Sequence, residues 1–262
     1  MFGLKHIIII ILSAILVVGL FIFSKKMKFE IVCKSMFYVG IVSEIIKIFF
    51  YIIKNEAQYG GVLPKTDLPF HLCSIQIILV SIVTFAKNEK LRRFILSFMF
   101  PSCLFGGIAA ILLPTTSSLN YWVITFQYNL YHIALIIFAL KICTSKELKL
   151  NIKDYFNCLK FLLIMMFFAI YINSIVYDGS NKINFMYVVS PPVDNIPFLT
   201  EKYGWFVYIM HYASLILFCV TMSYIKPIIQ AIKSKRNAKE INKNNSNKTQ
   251  ETIEDEQNTK SL

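Results

Sequence analysis

Leu68-Pro69-Phe70-His71-Leu72-Cys73-Ser74-Ile75-Gln76 opens an apolar run that continues to Ala86 and stops at Lys87-Asn88-Glu89-Lys90. That is close to the roughly 20 residues needed to cross ~30 Å of hydrocarbon, so the run reads as a membrane helix. A histidine, a thiol and an amide fall close together at its start, where lipid-facing sequence would hold leucine and isoleucine. Polar groups inside a bilayer cost free energy unless they face protein, which makes them functional candidates.

Working outward, the same signal recurs on both sides. Apolar runs predict helices at about 7–23, 35–53, 68–86, 94–113, 121–143, 156–177 and 205–225. The fold class expected is an all-α membrane protein, a polytopic bundle of seven transmembrane helices filling residues 1–230. Residues 231–262 are rich in Lys, Asn, Glu, Gln and Thr, too polar to bury a core, and are expected to form a disordered cytoplasmic tail. The first run lacks the short core and small-x-small site of a cleaved signal peptide, so it reads as an anchored helix. Hydrophobic residues make up 56% of the chain and charged ones only 16%, against about 25% charged in soluble domains. The net charge of +12 sits at the ends of apolar runs, which argues for membrane orientation and against nucleic-acid binding. Basic residues mark 25–34, 87–93, 141–153 and 226–239, while 114–120 is uncharged. Every second connection is basic, which predicts an external N-terminus, a cytoplasmic C-terminus and residence in the plasma membrane.

That orientation gathers polar groups in one half of the bundle. Cys73 lies about five residues, or ~8 Å, below the outer end of its helix, whereas His132 counts as ~16 Å deep. His71, Gln76, Gln127, Asn129, Asn173 and His211 fall in or near the same half, with Glu44 and Lys47 one turn apart on the second helix. Cys73 with Gln76, Asn129 with His132, and Tyr208 with His211 are spaced to share helix faces. His71 and Cys73, two apart, point to different sides. The tyrosines and Trp205 near helix ends read as an aromatic belt. Six cysteines occur without a Cys-x-x-Cys pair, so neither a disulfide framework nor a zinc ribbon is indicated. The seventh run has no lysine for a retinal Schiff base, and Gly-x-Ser-x-Gly and His-x-x-x-His elements are absent. No cofactor and no metal are expected. Two classes stay open on these residues: an enzyme using the thiol, or a small-molecule transporter or ligand-binding membrane protein with a non-catalytic polar pocket.

Four landmarks carry a family resemblance. Leu68 to Ile75 resembles the Leu-Pro-Leu-x-Leu-Cys segment of the YwaF-type bacterial integral membrane proteins, relatives of eukaryotic transmembrane protein 164. Leu113-Pro114-Thr115 followed by a segment ending in His132 resembles that family's Thr-Pro turn and single-histidine helix. Asn184-Phe185-Met186-Tyr187-Val188 with Pro191-Pro192 is similar to its Asn-Tyr-Met-Tyr-Leu…Pro motif, and Gly204-Trp205-Phe206-Val207-Tyr208 to its Gly-Pro-Trp-Pro-Tyr segment. The chain departs from the pattern at Phe185, at Val207 and in lacking a threonine before Pro114. The resemblance implies acyl transfer or acyl-ester hydrolysis on membrane lipids, with Cys73 as nucleophile and His132 as base. His71, Gln76, Asn129, Asn184 and His211 are the expected substrate-binding groups, and His211 is the alternative base.

Overall fold

The computed structural model describes residues 3–54, 61–113, 121–146, 148–177, 179, 183–192, 198–237 and 240. In chain order the helices are α1 (Leu4–Lys25), α2 (Phe29–Lys54), α3 (Leu72–Phe85), α4 (Glu89–Leu112), α5 (Trp122–Thr144), α6 (Ile152–Val176) and α7 (Trp205–Ser223). Residues 225–237 form a further helix, α8. Short 3-10 turns occur at Lys65–Asp67, Phe185–Tyr187 and Glu201–Tyr203. The described residues contain no strand. Six helices, α1, α2, α4, α5, α6 and α7, are long and apolar enough to cross a membrane. The chain is an all-helical, multi-span membrane protein.

The third expected span differs from the reading. It has 14 helical residues, ~21 Å, less than a hydrocarbon core. Pro69 lies outside it rather than in its first turn. Leu68, before that proline, is held extended at φ −58°, ψ 149°, as proline's ring requires, and His71 is extended too. The helix therefore starts at Leu72, and α3 begins below the neighbouring helix ends. Helix bounds elsewhere shift by a few residues, most at the start of α2, and α8 carries helix to 237 where a tail from 231 was expected. The uncharged loop at 114–120, Asn181 and residues 241–262 lie outside the described residues.

Consecutive helices run antiparallel. Lys47 meets Ser74 at one end of the α2–α3 pair, and Phe37 meets Phe85 at the other. We call these the Cys73 end and the basic end. α4 is the centre, packing against α3, α5 and α6, with Met99, Cys103 and Ser97 fully buried. α1 leaves most of its isoleucines and leucines exposed, as a helix facing lipid would.

Two sequence features fix α4 in place. Pro101 has no N–H to give the Ser97 carbonyl one turn back; the hydroxyl of fully buried Tyr224 donates to that oxygen instead, at 2.8 Å. At Gly107 a side chain would bring a Cβ within 2.7 Å of Ile136 Cγ1 and 3.0 Å of the His132 carbonyl. Only glycine allows α4 and α5 this approach, a small-residue contact typical of membrane helices.

The basic end is tied by ions. Arg93 grips Asp154 with two bonds of 2.7 Å, and Asp154 also closes the capping box of α6 with Asn151. Lys141 of α5, buried, donates to the carbonyls of Ser24, Lys25 and Met27 at 2.9, 3.3 and 2.6 Å. A cation thus caps the C-terminus of α1, where the helix dipole is negative.

Candidate functional site

Starting α3 at Leu72 makes Cys73 its second residue. First-turn amides have no partner within their helix, so Cys73 stands among N–H groups that α3 itself leaves unpaired. Lys47 of α2 reaches the Ser74 hydroxyl at 3.4 Å and lies within electrostatic reach of the thiol. Glu44 sits 2.8 Å from Lys47 on α2. That oxygen, Glu44 Oε1, is buried, and the Lys47 ammonium is its ionic partner.

From α5, the Tyr131 hydroxyl donates to the Cys73 carbonyl at 2.7 Å. This contact bridges the depth difference expected from counting through the length of the Tyr131 side chain, which leans toward the N-terminus of α5. His132 is buried, with Nδ1 2.6 Å from the Tyr128 carbonyl. A carbonyl only accepts, so Nδ1 carries the proton and neutral His132 presents its lone pair at Nε2, the form a base needs. The imidazole packs on the Tyr128 ring at 4.2 Å, and Tyr128 in turn lies within electrostatic reach of Cys73. No hydrogen bond joins Cys73 to His132.

The segment 183–190 covers this corner. Phe185 and Tyr187 stack around the His71 ring at 5.1 and 6.1 Å. The chain is held there residue by residue. Asn173 of α6 donates to the Phe185 carbonyl at 3.0 Å and accepts from the Phe185 amide at 2.8 Å. From α7, Tyr212 donates to the Met186 carbonyl at 2.8 Å, Tyr208 to that of Tyr187, and Trp205 Nε1 to that of Val188 at 2.9 Å. These bonds hold Met186 and Tyr187 at φ 55° and 54°, a left-handed conformation costly for side chains of this kind. Tyr187 ends within electrostatic reach of Cys73, and burial pushes its phenol up to about 12. It stays a neutral hydroxyl, and that hydroxyl has no hydrogen-bond partner among the described residues.

The other expected site residues are placed differently. His71 precedes the first turn of α3 without capping it, and its Nε2 bonds the Thr66 carbonyl at 3.1 Å, bracing the turn before the helix. Gln76 bridges α3 to α4, donating to Ser102 at 3.0 Å and accepting from the Cys103 thiol at 3.3 Å. Asn129 donates to the Thr125 carbonyl of its own helix at 2.7 Å. Asn184 bonds Ser190 and the Val189 amide, closing its own loop. His211 is exposed and lines a hollow with Phe198, Leu199, Ser214 and Leu215, whereas Tyr208, expected on its face, is fully buried. Trp205 and Tyr208 bind a loop rather than standing only in an aromatic belt. Among the described residues no three His, Cys, Asp or Glu side chains converge as a metal site would need. Sequence reasoning passed over Tyr131, Tyr187 and Tyr212. Only the spacing of Trp205, Tyr208 and Tyr212, polar-tipped aromatics three and four apart, could have shown a shared task.

Fold and site together define a polytopic helical membrane protein with one thiol set among polar groups at a helix start. The TMEM164 family model matches residues 1–224, and the chain belongs to that family. No curated protein and no solved structure matches it.

Proposed function

We propose that this protein is a lipid acyltransferase or acyl-ester hydrolase in which Cys73 is the nucleophile and His132 its base. The observation that carries this reading is the place of Cys73 at the first turn of α3, beside Lys47. Cys33, Cys103 and Cys158 are buried, and Cys143 and Cys219 lie at the basic end of their helices. Burial among apolar residues makes a cysteine inert, and a helix N-terminus beside a cation makes it reactive.

The chemistry follows. His132 Nε2 takes the thiol proton as Sγ attacks the acyl carbonyl, forming an S–C bond and a tetrahedral oxyanion. The Tyr187 hydroxyl and the α3 amides are the donors placed to receive that oxyanion. Collapse breaks the ester C–O bond, and His132 returns its proton to the leaving alkoxide, giving a Cys73 thioester. An acceptor alcohol, or water, then attacks the thioester with His132 again as base, and the C–S bond breaks to restore the thiol. Closing the Nε2–Sγ distance takes a rotation of the Cys73 side chain or a bound substrate between them.

Membrane placement belongs to the same proposal. α3 completes seven crossings, the N-terminus is external and the C-terminus cytoplasmic, so the site serves the outer leaflet of the plasma membrane. The unequal distribution of Lys and Arg between the two ends supports this orientation.

The test compares membrane lipids of cells expressing the wild type and Cys73→Ser at matched levels. The wild type should change a phospholipid or lysophospholipid species and Cys73→Ser should not. If neither changes any lipid while a soluble ligand stabilises both, the pocket binds without catalysis. An external reporter fused at the C-terminus refutes the orientation.

A further inference from the structure

A groove of about 330 Å³ runs between α2 and α5. Its walls are side chains such as Val39, Val42 and Ile46 on α2 and Phe126 and Leu130 on α5. Four properties point to its occupant. The groove is largely apolar: Gln127 and Ser43 are hydrogen-bonded to each other, and the Tyr131 hydroxyl is taken by the Cys73 carbonyl. It opens sideways on two long apolar helices, where Val42 and Phe126 stand exposed, so whatever enters comes from hydrocarbon rather than water. It follows the helix axes over residues 38 to 46 of α2, ~12 Å, the direction in which lipid chains lie. Tyr131, buried, also lines it, and the same side chain's hydroxyl holds the Cys73 carbonyl. The wall of the groove is thus also the wall of the thiol site.

We propose that this groove holds one acyl chain of a membrane glycerolipid and brings its ester toward Cys73. The proposal rests on the acyl-transfer reading for the second clause, and on the groove alone for the first. The α1 face is the internal contrast. It exposes Ile8, Ile11 and Ile15 to lipid and contributes no side chain to the groove, so it should meet lipid only as bulk solvent.

The experiment uses the full chain in lipid nanodiscs containing a phosphatidylcholine with a diazirine in one acyl chain. After irradiation, labelled peptides are mapped by mass spectrometry, and Cys73-dependent lipid turnover is measured on the same preparation. Labelling should be severalfold denser on 38–46 and 122–131 than on 4–25, and unchanged by Cys73→Ser. Val42→Trp, at an exposed lipid-facing position, should fill the groove and reduce both labelling there and turnover severalfold. Phe126→Ala, which widens it without adding bulk, should shift turnover toward bulkier chains, so the idea does not depend on one variant folding. Labelling no denser on α2 and α5 than on α1 overturns the groove as a binding site. Turnover that is normal in Val42→Trp and unshifted in Phe126→Ala overturns its role in delivery while leaving the acyl-transfer reading intact. Dense groove labelling without any Cys73-dependent turnover keeps the bound chain and refutes the enzyme instead.

Discussion

Tyr224→Phe deletes one hydroxyl and keeps the ring, so the contacts of that ring with Phe100 and Tyr155, at 5.6 and 5.8 Å, survive. What is lost is the bond to the Ser97 carbonyl. Opposite Pro101 no backbone N–H replaces it, and the site is sealed, with Tyr224 and Ser97 both fully buried. An unsatisfied buried acceptor costs roughly 1–3 kcal/mol, and membrane hydrogen bonds measured in cycles average about 0.6 kcal/mol, so about 1 kcal/mol is expected. The structure makes a sharper claim than the size of that loss. Pro101→Ala restores an N–H aimed at the same carbonyl, so Tyr224→Phe should cost little in that background. The coupling energy between the two sites should therefore be about 0.5–1 kcal/mol. Reversible unfolding in mixed micelles of the two single variants, the double variant and the wild type measures it. Equal costs of Tyr224→Phe in both backgrounds would falsify the view that the tyrosine substitutes for the missing amide.

Four further outcomes are expected. Lys141→Met removes three bonds from the C-terminus of α1 and should cost roughly 1.5–3 kcal/mol, with faster proteolysis near 24–28 as the measurement. Asn173→Leu strips both backbone bonds from Phe185 and should lower stability by roughly 2–4 kcal/mol; normal turnover in this variant refutes the role of segment 183–190 at the site. Tyr187→Phe should leave the melting temperature unchanged and slow Cys73-dependent turnover by about a hundredfold, as loss of one oxyanion donor does. Burial holds the Asp67 carboxyl above its ordinary range, against the Thr66 hydroxyl and Lys47, which lower it. The folded form therefore binds this proton more tightly than the unfolded one. Its contribution to stability falls as pH rises from about 4 through the raised folded value. Asp67→Asn should flatten that part of the pH profile and be the more stable form at neutral pH; a steeper profile refutes the reading.

The order of the long apolar helices was legible because apolar run length and charged punctuation are one-dimensional signals. The start of α3 was only partly so. Pro69 suits a first turn or the extended chain before one, and the choice depends on whether Leu68 has neighbours to pack against, which periodicity does not contain. That four-residue shift altered the reading of the site most, since it moved Cys73 from the second turn to a helix N-terminus. The candidate residues were found by type, and type alone cannot separate a side chain facing a substrate from one serving the backbone. Gln76, Asn184 and His71 each looked like substrate ligands and each has its hydrogen bonds taken by protein. His211 was placed on the wrong side because residues three apart are offset by ~60°, enough for Tyr208 to be buried and His211 exposed.

That division of polar side chains follows from the solvent. Non-helical backbone packed among helices needs protein partners for its N–H and C=O groups. This bundle places two such segments side by side, residues 65–71 before α3 and 183–190 across it. Asn173, Tyr208, Tyr212 and Trp205 serve the second segment, and His71 serves the first. Once those groups are assigned, few polar atoms at the Cys73 end keep chemistry to spare: the Cys73 thiol, the Tyr187 hydroxyl and Nε2 of His132, with the Lys47 ammonium alongside. A scaffold needing only helix adhesion would have no reason to hold two left-handed residues in place with three aromatic donors. On the proposed catalytic reading, that arrangement holds a nucleophile, a base and a neutral hydroxyl donor together. The discriminating comparison is Tyr212→Phe, which frees one pinned carbonyl outside the reacting groups. On the catalytic reading it lowers turnover more than stability, because the Tyr187 hydroxyl loses its aim; a loss of stability with turnover per folded molecule unchanged would reduce the loop to packing.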